Sequence, residues 1–202
     1  MQQEIFQVEN VLLPEHLKEV KEVLFSDSFP TFFYAASCED PSKDPSSMPN
    51  EATWDVPQFV HTFMKNYQQN SPYFEIANHV MNNFMKKVGV NSLTCERMKF
   101  NITLARPDLS GKHQMPHVDS LVENGYTSIF YLNDSDGDTL FFSDEKIIKR
   151  VTPKENTMVC FPNTTVHCAE MSKETPFRGV INYNFKLPSN VKFVTQGCSY
   201  VN

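Results

Sequence analysis

The spacing of apolar positions changes part-way along the chain. Leu13, Leu17, Val20 and Leu24 recur at helical intervals. Pro14 suits the first turn of that helix, because its missing N–H would find no partner there. A second helical pattern starts at Ser71-Pro72, with Phe74, Ala77, Met81, Phe84 and Val88 along one face. Lys86 and Lys87 fall where a helix end is negative, and Gly89 can terminate the run. From Thr94 onward the period falls to two. Met98-Lys99-Phe100-Asn101-Ile102-Thr103-Leu104 alternates as a half-buried strand does, and 127–132, 139–142, 157–161 and 179–187 are further strand candidates. Asp134-Ser135-Asp136-Gly137-Asp138 and Pro153-Lys154-Glu155-Asn156 carry the residues of turns.

Short strands with turns at close spacing predict a mainly β protein with N-terminal helices, its core a jelly roll or double-stranded β-helix. Residues 1–93 are expected to form a helical support region with a long loop, and 94–202 the jelly-roll core, integrated as one domain. The stretch from Ser26 to Pro57 is irregular and holds Pro41, Pro45, Pro49 and Pro57. A loop of that length is either a functional cover or lacks fixed structure.

Composition narrows the function classes. The 202 residues, 40% hydrophobic and 12% aromatic, suffice for one sizeable core. A formal charge of −6 argues against a nucleic-acid partner, which would call for a basic face. Lys146, Lys149, Arg150 and Lys154 read as solvated hairpin charges. Met1-Gln2-Gln3-Glu4 lacks the basic and apolar regions of a signal peptide, and no apolar run approaches the roughly 20 residues that span a bilayer. A cytoplasmic protein without a membrane partner is expected. Cys38, Cys95, Cys160, Cys168 and Cys198 are scattered and odd in number, which fits reduced thiols.

The candidate chemistry lies in His117-Val118-Asp119, then His167, then Arg178. On a strand His117 and Asp119 point the same way, and a histidine from a distant strand would complete two imidazoles and a carboxylate. That set is the facial triad of non-heme Fe(II) sites, which leaves coordination positions open. The pair alone is weak, since about one His-x-Asp/Glu is expected by chance in such a composition. His117 by itself also reads as a satisfied polar residue at a strand end. The ordered set with Arg178 carries the signal. Cys168 should face away from His167 and pack. His61 and His79 fall in or near helical patterns and read as surface or helix-face residues.

The segment from Asn101 to Leu187 resembles the 2-oxoglutarate/Fe(II)-dependent oxygenases, in their prolyl 4-hydroxylase-like branch. Beyond the His-x-Asp…His…Arg order, Thr127-Ser128-Ile129-Phe130-Tyr131-Leu132-Asn133 resembles the family's strand ending in Tyr-Leu-Asn. Gly137-Asp138-Thr139-Leu140-Phe141-Phe142 resembles its Gly-Gly-x-Thr-x-Phe stretch, while 151–154 and 159–162 resemble the strands before the second histidine. The resemblance implies His117, Asp119 and His167 as iron ligands and Arg178 on the distal carboxylate of 2-oxoglutarate. Tyr131 would add a hydroxyl there, with Ile129 and Leu140 as apolar walls. Fe(II), 2-oxoglutarate and O2 are the implied cofactors, with ascorbate as an accessory reductant. The implied reaction hydroxylates a substrate C–H, foremost a prolyl residue of a peptide or protein, and yields succinate. The metal and cosubstrate carry that chemistry, so no separate general base is expected.

Departures bear on detail. Asp138 replaces the usual second glycine, and Arg178 stands where many prolyl 4-hydroxylases use lysine. Arg106-Pro107 falls where relatives often place a pocket tyrosine, which leaves the substrate open. The alternatives are the same chemistry on a small molecule or modified nucleobase, a cupin-type metal protein not using 2-oxoglutarate, and a non-catalytic module on the same fold.

Overall fold

In the computed structural model, which describes residues 5–35, 56–119, 122–194 and 198–201, the two helical patterns become helices. Helix α1 spans Pro14–Leu24 and buries Leu17, Val20 and Leu24. Leu13 caps it and stays exposed, so it does not join that face. Helix α2 spans Phe74–Lys87 and buries Ala77, Val80, Met81 and Phe84. The Tyr73 N–H donates to the Ser71 hydroxyl at 3.0 Å before its first turn. Gly89, at φ 65°, takes up the left-handed conformation past its end.

The strands in chain order are β1 Phe6–Val8, β2 Phe32–Tyr34, β3 Gln58–Lys65, β4 Gln68–Gln69, β5 Thr94–Leu104 and β6 Gly125–Tyr131. They continue as β7 Thr139–Ser143, β8 Lys146–Val151, β9 Thr157–Pro162, β10 His167–Ala169, β11 Phe177–Lys186 and β12 Ser199–Tyr200. A major antiparallel sheet runs β12-β1-β9-β6-β11-β5-β3-β2, with β4 beside β3, and a minor sheet runs β10-β7-β8. This is the expected jelly-roll core. The basic residues Lys146, Lys149 and Arg150 lie on β8, the outer strand of the minor sheet.

The front of the chain differs from expectation. Residues 58–65 form a strand, not a helical stretch, and β1, β2 and β3 all join the major sheet. Phe59, Val60, Phe63 and Met64 suit either period, and pairing with β5 decides between them. His61 therefore sits in a strand, buried, with its ring nitrogens 2.7 Å from the Pro30 carbonyl and the Ser71 hydroxyl. His79 is half-buried on α2, against the ring of His16. The stretch expected to be irregular contains β2, and residues 36–55, read as part of either a cover or a segment without fixed structure, lie outside the described residues.

The two faces of the major sheet have different partners. On one, Phe100, Phe130, Ile181, Tyr183 and Phe185 pack against α1 and α2 in the largest apolar cluster. The Tyr183 hydroxyl ties this layer together by donating to the Ala77 carbonyl at 2.9 Å. On the other, Ile129, Tyr131, Val159, Phe161 and Val180 meet Phe141 of the minor sheet. Each such ring or branched side chain contributes about 1.5–3 kcal/mol on burial. The second face holds the polar groups described next.

Candidate metal centre

His117 and His167 face each other across a single antiparallel bridge, their backbones exchanging N–H···O bonds of 3.0 and 2.9 Å. The expected strand through 117–119 is not formed. Only His117 pairs, and the chain bends at Asp119, which returns the carboxylate toward both imidazoles. His117 Nε2 lies 3.6 Å from Asp119 Oδ1, and His167 Nε2 lies 3.7 Å from Asp119 Oδ2. One ligand atom from each residue falls within 4.8 Å of the others, a grouping that could hold a metal ion.

Protonation states suit that use. Both Nδ1 atoms face backbone carbonyls, of Met115 at 2.8 Å and of Thr165 at 3.0 Å. A carbonyl can only accept, so each Nδ1 carries the proton and each Nε2 keeps its lone pair for the centre. Burial pushes the His167 imidazole down to about 4, against the raising pull of Asp119, so it is neutral at pH 7. Burial also pushes the Asp119 carboxyl up, but the Arg97 guanidinium and then His117 and His167 outweigh it and hold it well below the usual range. Asp119 accepts from Arg97 at 3.0 Å, Thr127 at 3.1 Å, Asn184 at 3.1 Å and Asn182 at 3.4 Å. A carboxylate so held is ionised and fixed in orientation.

Arg178 enters the same face from β11. It is 7% exposed, and its Nη2 donates to Thr139 Oγ1 at 2.8 Å. The Tyr131 hydroxyl lies 2.8 Å from that same oxygen, with its ring 5.6 Å from the guanidinium carbon. Arg178 Nε is buried without a partner, and no carboxylate among the described residues forms an ion pair with the guanidinium. Burial pushes its pKa down. A buried cation lacking its counter-charge is costly, and an anionic ligand would offset that cost. The residues present therefore fit a dicarboxylate.

The structure brings His117, Asp119, His167, Arg178, Tyr131 and Ile129 to one face but not Leu140. In the β7–β10 pairing, Phe141 lies opposite His167 and Leu140 lies opposite Cys168. Directly opposed residues share a face, so Leu140 packs outward with Cys168 and Phe142. Thr139 and Phe141 face inward in its place. Cys168 points away from the metal cluster, as strand alternation requires.

Several site residues escape the sequence reading: Arg97, Thr127, Thr139, Asn182 and Asn184. One signal was available. Asn182 and Asn184 alternate with Ile181, Tyr183 and Phe185 in a strand with few exposed positions, so two carboxamides share an inner face. Arg106 pairs with Asp108 at 2.9 and 2.6 Å. Asp138 serves the turn through its backbone, its carbonyl accepting from Glu170 N–H at 2.8 Å. Gly137 is required beside it, since a Cβ there would meet the Glu170 carbonyl at 2.9 Å.

Residues 102–186 match the model of the 2OG-Fe(II) oxygenase superfamily, a segment that includes the cluster and Arg178. That segment, less than half of the chain, is similar to the superfamily. No curated protein sequence matches this chain. Among solved structures it is similar to a 2OG-Fe(II) oxygenase family oxidoreductase from Burkholderia pseudomallei, with TM-score 0.63, 10% identity, and 90% and 85% of the two chains covered. It also resembles a Trichoplax adhaerens prolyl hydroxylase in complex with a hypoxia inducible factor peptide fragment, at TM-score 0.56, 12% identity and 90% and 83% coverage. A third is the α-ketoglutarate-dependent carbocyclase SnoK from nogalamycin biosynthesis, at TM-score 0.58, 12% identity and 91% and 79% coverage. At such identities these likenesses establish the fold alone.

Proposed function

We propose that this chain is a 2OG-Fe(II) oxygenase, holds Fe(II) on His117, Asp119 and His167, binds 2-oxoglutarate through Arg178 and Tyr131, and hydroxylates a prolyl residue of a peptide or protein. The observation that carries the cosubstrate assignment is the buried Arg178 guanidinium, which has no counter-ion among the described residues. A cupin-type metal protein would have no use for that charge. When bound, Fe(II) and 2-oxoglutarate would supply the oxidative chemistry with O2 as the oxidant, one oxygen atom entering succinate as carbon dioxide leaves and the other turning a substrate C–H into C–OH.

The chain's own residues bind, orient and exclude water. His117 and His167 offer Nε2 lone pairs because their Nδ1 protons are occupied by backbone carbonyls. Asp119 stays ionised because Arg97 stands beside it. The guanidinium fork of Arg178 can meet both oxygens of the distal carboxylate, and the Tyr131 hydroxyl can turn from Thr139 to the same group. Ile129, Phe141 and Val180 keep that end dry. No side chain needs to act as an acid or base.

The peptide reading is supported by the likeness to a prolyl hydroxylase with a bound peptide. The likeness to a biosynthetic carbocyclase favours a small-molecule substrate as the second reading. Succinate release by the Fe(II)-loaded protein, with and without proline-containing peptides, tests both. Stimulation by peptide is the expected result. Turnover of 2-oxoglutarate that no peptide stimulates would turn the assignment toward a small molecule.

A further inference from the structure

The metal face of the major sheet carries more positive charge than the proposed metal and cosubstrate use. Arg97 on β5 donates from Nη2 to Asp119 Oδ1 at 3.0 Å and from Nε to Asn184 Oδ1 at 2.7 Å. Its Nη1 makes no hydrogen bond to a described residue. Its side chain is 32% exposed, so the residue that touches the carboxylate of the cluster also touches solvent. Lys99, two residues on, pairs with Asn182 on β11 and Thr62 on β3. Asn182 reaches Asp119 at 3.4 Å, so Lys99 stands on the same face, half-buried. Same-face neighbours on a strand lie about 6.5–7 Å apart, close enough for one anionic group to meet both. The two charges of Fe(II) and the one of Arg178 would balance Asp119 and the two carboxylates of 2-oxoglutarate. Arg97 is left over. The chain as a whole stands at −6, so this positive excess is local.

We infer that Arg97 and Lys99 receive an acidic side chain of the substrate peptide, one or two residues from the residue that reacts. The inference rests on the proposed oxygenase reading and deepens it by giving the charge of the substrate. A metal ion on Asp119 would draw on the carboxylate that answers Arg97, and a substrate carboxylate restores the balance beside it. A guanidinium held by Asn184 and Asp119 presents its remaining N–H groups at fixed angles, which suits a carboxylate. Lys99 adds charge on a flexible stem. Arg97 is one hydrogen bond from a proposed ligand oxygen, and a residue of extended chain spans about 3.5 Å, so the acid lies close in sequence to the reacting residue. A basic flank would be repelled by both side chains, and a neutral one would leave the Arg97 charge to water.

The test uses full-length protein saturated with Mn(II) and 2-oxoglutarate without oxygen, so that binding is read and not turnover. The probes are three pools of blocked hexapeptides with a central proline, flanked within two residues by Glu, by Gln or by Lys. The Glu pool should bind about fivefold or more tighter than the Gln pool, the upper range for a partly exposed ion pair, and the Lys pool weakest. Raising the salt to about 0.5 M should shrink the difference. Arg97→Gln should erase the preference for Glu over Gln, a ratio that a purely structural role would not move, and Arg97→Lys should keep most of it. Lys99→Glu, one residue pair away from the Asp119 network, should turn the preference toward the Lys pool with 2-oxoglutarate affinity unchanged. Equal binding of the Glu and Gln pools, or a preference for Glu that survives Arg97→Gln or Lys99→Glu, overturns the inference. If 2-oxoglutarate binds but no pool does, the inference fails while the oxygenase reading stands. If 2-oxoglutarate does not bind the Mn(II) form at all, both fall.

Discussion

Arg178 is a charge that the described part of the fold does not neutralise, and that single fact separates two effects of removing it. Losing one member of a buried ion pair costs roughly 3–5 kcal/mol, which at about 1.4 kcal/mol per tenfold means Arg178→Ala weakens 2-oxoglutarate binding a hundredfold or more. In the ligand-free protein no ion pair with a described residue is lost, only the bond to Thr139 and the contact with Tyr131, so thermal stability should fall less than affinity does. Arg178→Lys keeps the charge without the fork and should fall between. Anaerobic titration of the metal-loaded protein measures the affinity, and unchanged binding in Arg178→Ala would place the carboxylate elsewhere. At the three proposed ligands the outcome differs. His117→Ala, Asp119→Ala or His167→Ala should sharply weaken metal binding and abolish turnover while circular dichroism stays native. A variant that keeps near-normal activity is not a ligand.

The turn between β6 and β7 shows an element fixed by one carboxylate. Asp136 accepts from the Ser172 hydroxyl at 2.6 Å and from the N–H groups of Thr175 at 3.0 Å, Lys173 at 3.1 Å and Glu174 at 3.1 Å. Burial pushes its carboxyl up, but these bonds outweigh it and hold it below its ordinary range. A carboxyl lowered on folding adds stability above its unfolded value of about 3.9, and that stability is lost as pH falls toward the folded value. Asp136→Ala should therefore cost about 1–2 kcal/mol at pH 7, a typical loss for hydrogen bonds to a charged group at a partly open site. The gap to the parent should close as the pH drops below about 4. A gap that is constant with pH would mean the turn does not depend on the ionised form. This turn positions Thr139, and through it Arg178, so 2-oxoglutarate affinity should fall modestly in the same variant.

At the scale of the molecule, the major sheet separates stability from chemistry. Its helix-facing side holds Phe84, Phe100 and Phe130 with no measurable exposure, while the metal cluster lies on the opposite side. Phe84→Ala should cost about 3–5 kcal/mol in urea unfolding, the range for emptying a buried ring. Metal affinity of the folded fraction should be close to parental, because the sheet stands between. A large loss of metal affinity at full folding would show that α2 and the site are coupled.

The cluster of His117, Asp119 and His167 and the buried Arg178 near it were legible as candidates in the sequence because their order along the chain and their residue types are themselves the signal. The helices α1 and α2, the strands β5, β6, β7, β9 and β11 and the turn at Asp134–Asp138 were legible because each follows a local period or a local turn chemistry, whereas β8, β10 and β12 were not read as strands. Leu140 shows where local reading stops. Period two says that Leu140 and Phe141 face opposite ways, but only the pairing of β7 with β10 decides which of them looks inward. Residues 58–65 show the same limit, since an ambiguous apolar pattern became a strand through its partner β5. Arg97, Asn182 and Asn184 reach Asp119 from strands far apart in sequence. The chain by itself thus determined which candidate ligands are present and those helices and strands whose local period is unambiguous. Register and sheet pairing decided which side chains share the cavity, because facing is a property of two strands and not of one.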